Sequence, residues 1–383
     1  MAALAILAAA CPAAASPFVP TDDNLVLQTG LPTGDPRMRE IRVLAADLAT
    51  RPDDLDVAMR LAGRQLAMGV AEADPRFVGY AQATLARWWD VTMPPALLVL
   101  RARIRQAQHD FAAAAADLHA ALRSDPGNPQ ALLVLASVDE TDGDLAEANS
   151  ACDAFAAVRP GLVATACSAD IAALTGGAVA ARRMLDAAVT RTPSTDRAEQ
   201  AWALVILGEI AARLDDPAAA DDLQQAVALD GRNVYALTAY ADYLLDHGRS
   251  REVVRLLTGF ERIDALDLRL VLALQATGDA GFAAARDDLA ARFAAARRQN
   301  DAVHLRDASR FALEVAHDPP AALDFAQRNW VTHKTPDDVR LLLAAALAAE
   351  DAAAAQPALD WIAATHLEDR RLGPLLARLK TAP

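Results

Sequence analysis

Side chains that commonly carry out chemistry are sparse in this 383-residue chain, and their spacing does not fit a metal site. Metal ligation from one helix face needs two histidines about three or four residues apart. No two of the seven histidines are that close, so we expect them to be solvated or turn residues. They are His109, His119, His247, His304, His317, His333 and His366.

Motifs for nucleophilic or phosphate chemistry are also missing. The sequence has no glycine-flanked serine elbow, no His-Glu-x-x-His, no phosphate-binding glycine loop ending in Lys-Ser or Lys-Thr, and no Cys-x-x-Cys. Lys334 and Lys380 are the only lysines, which disfavours Schiff-base chemistry. We therefore expect that the chain is not an enzyme and that it holds neither a cofactor nor a metal.

Two cysteines are spaced evenly about one turn signal. Cys152 lies eight residues before Pro160, and Cys167 lies seven residues after it. Residues equidistant from the turn of an antiparallel helix pair sit side by side, so the thiols are candidates for a disulfide. Two separate buried thiols are the main alternative, because free cysteine packs well in a core. A redox-active pair is the third.

The first sixteen residues have the features of an export signal. An apolar run over residues 2–10 precedes Pro12 and small residues ending at Ser16, which suits signal peptidase. The run is too short for a membrane span. No basic residue precedes it, so a misassigned start or a buried N-terminal helix stays open. We expect a periplasmic or otherwise exported protein, with lipid anchoring through Cys11 as the weaker alternative because the residue three positions upstream is alanine.

Composition predicts a folded, acidic protein. Apolar residues make up 54% of the chain and charged residues 23%, enough to bury a large core without a metal or disulfide. The formal net charge is -14. Nucleic acids and anionic lipids attract basic patches, so neither is expected as a partner. The acidity itself is sufficiently explained by solubility.

A repeat with a period near 34 residues runs through the middle of the chain. Aligning His109, Gly143 and Gly176 brings four further columns into register, of which the last is proline. The columns are Ala114, Ala148 and Ala181; Leu118, Cys152 and Leu185; Ala121, Phe155 and Ala188; and Pro126, Pro160 and Pro193. This pattern resembles the tetratricopeptide repeat (TPR), a helix-turn-helix unit. The resemblance implies an all-α, right-handed superhelical solenoid of antiparallel helix pairs, here about eight of them.

The repeat and the turn signals divide the chain into six segments, and no stretch has the alternation of a strand. Small residues in the columns are expected where two helices cross closely. The segments are a signal peptide (1–16), an extended lead-in (17–36), degenerate N-terminal repeats (37–94), clear TPR units (95–193), degenerate TPR units (194–300) and C-terminal helical repeats or a cap (301–383).

In TPR proteins the first helices of the repeats line a concave groove that binds an extended peptide or a helix. The resemblance implies that nine polar residues face this groove: Arg103, Gln106, Ser137, Glu140, Asp170, Glu209, Arg213, Asp242 and Asp246. Five of them are acidic and two are basic, which predicts an acidic, partly apolar floor and a basic or apolar partner. The lysines and asparagines with which one subgroup clamps chaperone carboxylates are missing. The alternative is a binding surface on the convex side or on the C-terminal helices.

These features favour a noncatalytic protein-interaction scaffold or adaptor of the bacterial cell envelope. A client-holding assembly factor, as in cytochrome maturation or in polysaccharide or protein export, is one alternative. An enzyme or small-ligand binder built on a TPR superhelix is another, although the sequence nominates no catalytic group. Fold alone does not decide among them.

Overall fold

The computed structural model describes residues 35–90, 92, 94–191, 194–298 and 305–381. The predicted signal peptide, Cys11 and most of the extended lead-in lie outside these residues. So does Pro193, the turn residue of the third clear repeat.

The described residues form twenty α-helices and no β-strand, which confirms the all-α prediction. The first ten helices are α1 (Pro36–Thr50), α2 (Leu55–Glu72), α3 (Pro75–Thr84), α4 (Pro95–Ala107), α5 (Phe111–Ser124), α6 (Pro129–Asp142), α7 (Leu145–Val158), α8 (Leu162–Leu174), α9 (Ala178–Arg191) and α10 (Arg197–Arg213). The others are α11 (Ala219–Leu229), α12 (Val234–Asp246), α13 (Ser250–Leu257), α14 (Asp264–Thr277), α15 (Phe282–Arg298), α16 (Leu305–Glu314), α17 (Pro319–Trp330), α18 (Pro336–Ala348), α19 (Gln356–Thr365) and α20 (Gly373–Leu379).

From α2 onward the helices pack as consecutive pairs, α2 with α3, α4 with α5 and so on to α18 with α19. The first helices also pack on one another in an unbroken row, from α2 through α4, α6, α8, α10, α12, α14 and α16 to α18. This stacking makes a TPR-like solenoid. It holds nine pairs among the described residues, where about eight were expected.

One residue in the turn inside every pair adopts a left-handed backbone conformation. Such a residue lets the chain leave the first helix and reverse toward the second. The nine residues are Ala73, His109, Gly143, Gly176, Asp215, Gly248, Gly278, His317 and Glu350. His109, Gly143 and Gly176, which align in the sequence, therefore share one conformation, with φ of 61°, 88° and 79°.

The repeat columns form the contact between paired helices. All nine column residues on the second helices are buried except Ala188, which is half-buried. Gly208 shows why small residues recur at such crossings: a Cβ atom there would lie 2.6 Å from Leu223 Cγ. Any larger side chain at position 208 would push α10 away from α11.

Polar caps and prolines define where the first helices begin. The Asn128 side chain accepts a hydrogen bond from the Ala131 amide at 3.0 Å, and Pro129 occupies the first turn of α6. Asn233 caps α12 in the same way. Side-chain oxygens at these positions satisfy amides that have no partner inside the helix, and proline fits the first turn because its missing N–H is not needed there.

The C-terminal helices fold back onto turns of the earlier repeats. The Lys334 amide donates to the Thr141 carbonyl at 2.8 Å, and Lys334 Nζ donates to the Asp142 carbonyl at 2.6 Å. Beyond α19, Glu368 Oε2 accepts a hydrogen bond from the Ala178 amide at 2.9 Å, at the first turn of α9. The end of the array thus covers the concave side of its middle.

This fold-back also buries a histidine. His333 is 8% exposed, and its ring centroid lies 4.7 Å from that of His109. Burial lowers the pKa of His333 below its usual value. His333 lies in the turn between α17 and α18, within the expectation of solvated or turn residues, but a contact between distant repeats leaves it buried instead of solvated.

No helix in the part of the chain that the structure describes is both long enough and apolar enough to cross a bilayer.

Candidate binding chamber

First helices of the central repeats and helices of the C-terminal repeats enclose a cavity of about 420 Å³, which we call the chamber. Six of the nine predicted groove residues line it: Glu140, Asp170, Glu209, Arg213, Asp242 and Asp246. Gln106 and Ser137 line an adjoining cavity that shares Glu140 and Asp170 with the chamber. Arg103 is half-buried on α4 and lines neither cavity.

Three carboxyl groups and one phenol form the acidic end of the chamber. Tyr235 Oη donates to Glu209 Oε2 at 2.5 Å. Burial, reinforced by the nearby Asp170 charge, raises the pKa of Glu140 well above its usual value. Burial also raises the pKa of Asp170, and it raises that of Glu209 to about 7. This end therefore holds protons near neutral pH that ordinary carboxyl groups would have lost.

Arg213 stands beside these carboxyl groups without a hydrogen-bond partner for two of its nitrogens. Its side chain is 6% exposed, and its Nη2 atom lies 4.0 Å from Asp170 Oδ1, beyond hydrogen-bonding distance. Nε and Nη2 are both buried, and neither donates to any atom of the described residues. A buried donor in this state gains free energy from any acceptor that reaches it.

Arginines from the C-terminal repeats neutralise the other end of the chamber. Arg269 donates to Asp242 at 2.9 Å and Arg310 at 2.5 Å. Burial alone would raise the pKa of Asp242, but the two guanidinium groups hold it well below its usual value. Arg340 forms a two-bond pair with Asp246 at 2.5 and 2.7 Å.

The lining is not only acidic and partly apolar, as the resemblance implied, but also carries several basic side chains. Five arginines line the chamber together with the acidic residues, and only Arg213 among them was predicted to do so. The five are Arg213, Arg269, Arg306, Arg340 and Arg371. The spacing of their own repeats does not indicate that Arg340 and Arg371 face the central helices. They reach the chamber through the fold-back, which joins residues far apart in the sequence. Arg340 and its partner Asp246, for example, are separated by 94 positions.

Tyr235 also lines the chamber and was not among the residues predicted from the sequence. It sits at the second position of α12. In the structure it is 44% exposed, because its ring faces the chamber. Tyr235 lies on α12, the first helix that also carries the predicted groove residues Asp242 and Asp246. Its place on that helix was the sequence feature that could have indicated it.

The carboxyl groups are not arranged for a metal ion. Nowhere in the described ranges do three or more histidine, cysteine, aspartate or glutamate side chains converge closely enough to hold one. What the chamber offers instead is a set of hydrogen-bond acceptors at one end beside an unsatisfied guanidinium donor.

Cys152 and Cys167 are joined in the structure, with Cα atoms 5.7 Å apart and the sulfurs at 1.98 Å. The bond links α7 to α8, so it ties one repeat to the next across the turn at Pro160. Cys167 also lies on the wall of the cavity that adjoins the chamber. The disulfide therefore fixes the position of α8, which carries Asp170.

No protein-family model matches the chain, and no curated protein matches it. Among solved structures, a chain of the APC/C hetero-tetramer Cut9–Hcn1 is similar over 81% of this chain and 52% of its own length, with 15% identity and a TM-score of 0.42. This chain therefore spans about half of that protein.

Two further solved structures are similar over most of their length. A tetratricopeptide repeat protein from Parabacteroides merdae aligns over 81% of this chain and 98% of its own, with 11% identity and a TM-score of 0.38. Yeast Tom70 aligns over 90% and 84%, with 12% identity and a TM-score of 0.40. At these identities the comparisons concern the fold only.

Proposed function

We propose that this chain is a noncatalytic protein-interaction scaffold of the bacterial cell envelope and that it binds a partner polypeptide in the chamber. Solenoids of helix pairs create extended concave surfaces that serve as binding sites. The partner is expected to present a basic group to the acidic end.

One observation carries the proposal. Six polar residues on α6, α8, α10 and α12 converge on one cavity. At its acidic end, Glu140, Asp170 and Arg213 form no ion pair closer than 4.0 Å with any of the described residues. Polar groups that serve only stability are normally satisfied within the protein. Asp242 and Asp246 show this behaviour, since each is paired with arginine. The acidic end departs from it, which favours a binding role.

Two features support the envelope location. Residues 2–16 have the apolar run and small residues of an export signal. The Cys152–Cys167 bond is of a type that persists in oxidising compartments such as the periplasm. Mass spectrometry of the protein purified from its native cells tests this placement. We expect a mature N-terminus near residue 17 and no free thiol at positions 152 and 167.

Affinity capture from native envelopes tests the scaffold role. The bait is the full chain, compared with a chamber variant that carries Glu140→Gln, Asp170→Asn and Glu209→Gln. These substitutions keep side-chain size and remove the negative charges that attract a basic partner. The matched control carries Asp186→Asn, Asp221→Asn and Asp324→Asn, which removes the same number of carboxyl groups from exposed positions.

We expect one protein to be captured in near-stoichiometric amount by the wild-type chain and by the control, and to be at least tenfold depleted with the chamber variant. Capture of that protein at equal levels by all three baits would show that binding takes place on another surface. Circular dichroism of each bait checks that the substitutions leave the helices intact.

A small-ligand binder is the second candidate function, and the volume of the chamber favours it. Cavities of about 300–1,000 Å³ with a few convergent polar groups are typical small-molecule sites. The chamber, at about 420 Å³, falls in this range. The two candidates share the same residues and differ in whether the bound group belongs to a free molecule or to a protein chain.

A further inference from the structure

The acidic end of the chamber combines acceptors with a donor, and Arg213 Nη2 lies 4.0 Å from Asp170 Oδ1. Glu140, Asp170 and Glu209 provide carboxylate oxygens, whereas Arg213 provides two N–H groups that have no partner in the described part of the chain. A simple cation would satisfy the carboxylates but leave Arg213 unpaired. A simple anion would satisfy Arg213 but would be repelled by the carboxylates.

A ligand that suits both must therefore carry a positive group and an acceptor oxygen close together. The gap of 4.0 Å between Arg213 Nη2 and Asp170 Oδ1 sets the scale. In an α-amino acid or a peptide amino terminus, the ammonium nitrogen and the carbonyl oxygen are joined through only two carbon atoms, so hydrogen bonds of about 2.7–3.2 Å from each can reach the two sides of such a gap. The aromatic ring of Tyr235, on the wall of the same cavity, adds a face that attracts cations.

We propose that the acidic end binds an α-ammonium group together with the oxygen of its neighbouring carbonyl or carboxylate. The ammonium donates to the carboxylates of Glu140, Asp170 and Glu209, and the oxygen accepts from Arg213. This chemistry occurs in a free α-amino acid and at the amino terminus of a polypeptide. The inference rests on the proposed function in its polypeptide form, since it names the part of the partner that enters the chamber.

Protonation gives the binding a definite pH dependence. The charged and titratable groups that act on Glu209 are Arg213 on its own helix, Asp170 on α8, Tyr235 on α12 and Asp337 on α18. The charge of Glu209 in turn helps to raise the pKa of Glu140 on α6. Only ionised carboxylates attract an ammonium group. With the pKa of Glu209 near 7, the affinity is expected to rise from pH 6 to pH 8, as the carboxyl protons are lost.

Calorimetric titration of the full chain tests the inference with four small probes. L-alanine carries the ammonium and a carboxylate, and tri-alanine amide carries the ammonium and a carbonyl within a peptide. N-acetyl-alaninamide lacks the ammonium, and ethylamine lacks the oxygen. We expect L-alanine or tri-alanine amide to bind at least tenfold more tightly than N-acetyl-alaninamide and ethylamine.

The first two probes separate the two sources. Binding of L-alanine with exclusion of tri-alanine amide assigns the chamber to a free amino acid. Binding of tri-alanine amide at equal or higher affinity assigns it to a polypeptide amino terminus. The inference is overturned if N-acetyl-alaninamide or ethylamine binds as tightly as the complete probes, or if none of the four binds.

Variants locate the binding, and they separate this inference from the proposed function. Arg213→Leu is expected to weaken the tighter probe at least tenfold, whereas the triple Asp186, Asp221 and Asp324 control leaves it unchanged. If a protein is captured through the chamber but no probe binds, the scaffold role stands and the α-ammonium inference fails. If a probe binds but no captured protein depends on the chamber, the α-ammonium inference stands and the scaffold role of the chamber fails.

Discussion

At the scale of single residues, two buried groups have opposite consequences for stability. The Cys152–Cys167 bond holds two helices together, whereas Asp139 on α6 brings a carboxyl group into a site without a hydrogen-bond partner for its Oδ2 atom among the described residues. Each can be altered by a change of a few atoms. Each therefore gives a prediction whose sign follows directly from the local chemistry.

Removing the disulfide is expected to lower the free energy of unfolding. The cysteines are 15 residues apart, and closing a loop of that length in the unfolded chain is worth about 3 kcal/mol. Urea unfolding with and without a phosphine reductant measures the difference. A Cys152→Ala, Cys167→Ala chain is the control, because its unfolding midpoint should not respond to the reductant. An unchanged midpoint for the reduced wild-type chain would contradict the prediction.

Replacing Asp139 by asparagine is expected to stabilise the protein at high pH. Burial, with smaller contributions from Asp144, Glu147 and Asp142, raises the pKa of Asp139 to about 7. A carboxyl group whose folded pKa lies above its unfolded value of 3.8 reduces stability as the pH rises between the two values, and the deficit persists above 7.

Urea unfolding at pH 4 and pH 8 checks this difference. We expect Asp139→Asn to match the wild-type chain at pH 4 and to exceed it at pH 8 by on the order of 2 kcal/mol. Asp324→Asn, at an exposed position, should show no such contrast. A gain at pH 4 as large as that at pH 8 would assign the effect to packing instead of charge.

At the scale of helices and turns, the 34-residue period reflects a recurring backbone conformation in the turns as well as recurring contacts between helices. A left-handed residue closes each of the nine turns inside the pairs, and four of these residues are glycines. A side chain at such a position costs roughly 1–2 kcal/mol. Gly143 carries a second constraint, since a Cβ atom there would lie 2.9 Å from Lys334 Cδ and 3.1 Å from Trp361 Nε1.

Alanine substitutions at three glycines separate these two effects. Gly127→Ala, at a turn position with ordinary φ where a Cβ atom would make only an ordinary contact, 3.7 Å from Val158 Cγ1, should change the free energy of unfolding little. Gly278→Ala, with φ of 66° and open space, should lower it by about 1 kcal/mol. Gly143→Ala should lower it by about 2 kcal/mol or more, because Lys334 and Trp361 must also move. Equal losses of unfolding free energy at positions 143 and 278 would mean that Lys334 and Trp361 can move away from a Cβ atom at position 143 without destabilising the protein.

The sequence predicts much of the helical architecture because local chemistry determines it. Small residues in register, prolines after the second helices and glycines in the turns are all visible without a structure. Turn residues such as Ala73 and Glu350 are not, because alanine and glutamate usually avoid the left-handed conformation and adopt it here under the constraint of the packed pair. Six residues that line the chamber were named from the TPR resemblance, which implies that their repeat positions face the concave groove.

The mixed charge of the chamber could not be predicted in this way. Arg269 and Arg310 reach Asp242 from repeats one and two units further along, and Arg340 reaches Asp246 from the pair after that. These contacts depend on how strongly the whole array curves. Curvature is the sum of small rotations between pairs, and no single residue pattern encodes it.

At the scale of the whole molecule, the fold-back converts an open groove into a chamber. Few polar contacts hold it in place at the point where α19 ends. Glu368 caps the first turn of α9 from 190 residues away, where a carboxylate meets both an unpaired amide and the positive end of the helix dipole. Lys334 makes the matching contact with the turn after α6. The size of the opening therefore depends on a few residues outside the chamber.

Weakening these contacts is expected to loosen the C-terminal helices without unfolding the solenoid. Together, Glu368→Ala and Lys334→Met remove two charge-assisted hydrogen bonds, each worth about 1.5–3 kcal/mol. Because about 1.4 kcal/mol corresponds to a tenfold change in an opening equilibrium, amide hydrogen exchange over α19 and α20 should accelerate at least tenfold. Exchange over α4 to α7 should stay as it is, apart from the turn after α6. Asp324→Ala, which removes an exposed pair with Arg328 at 3.6 Å, is the control and should leave α19 and α20 protected. Uniform acceleration along the chain would show instead that the fold-back is part of the cooperative core.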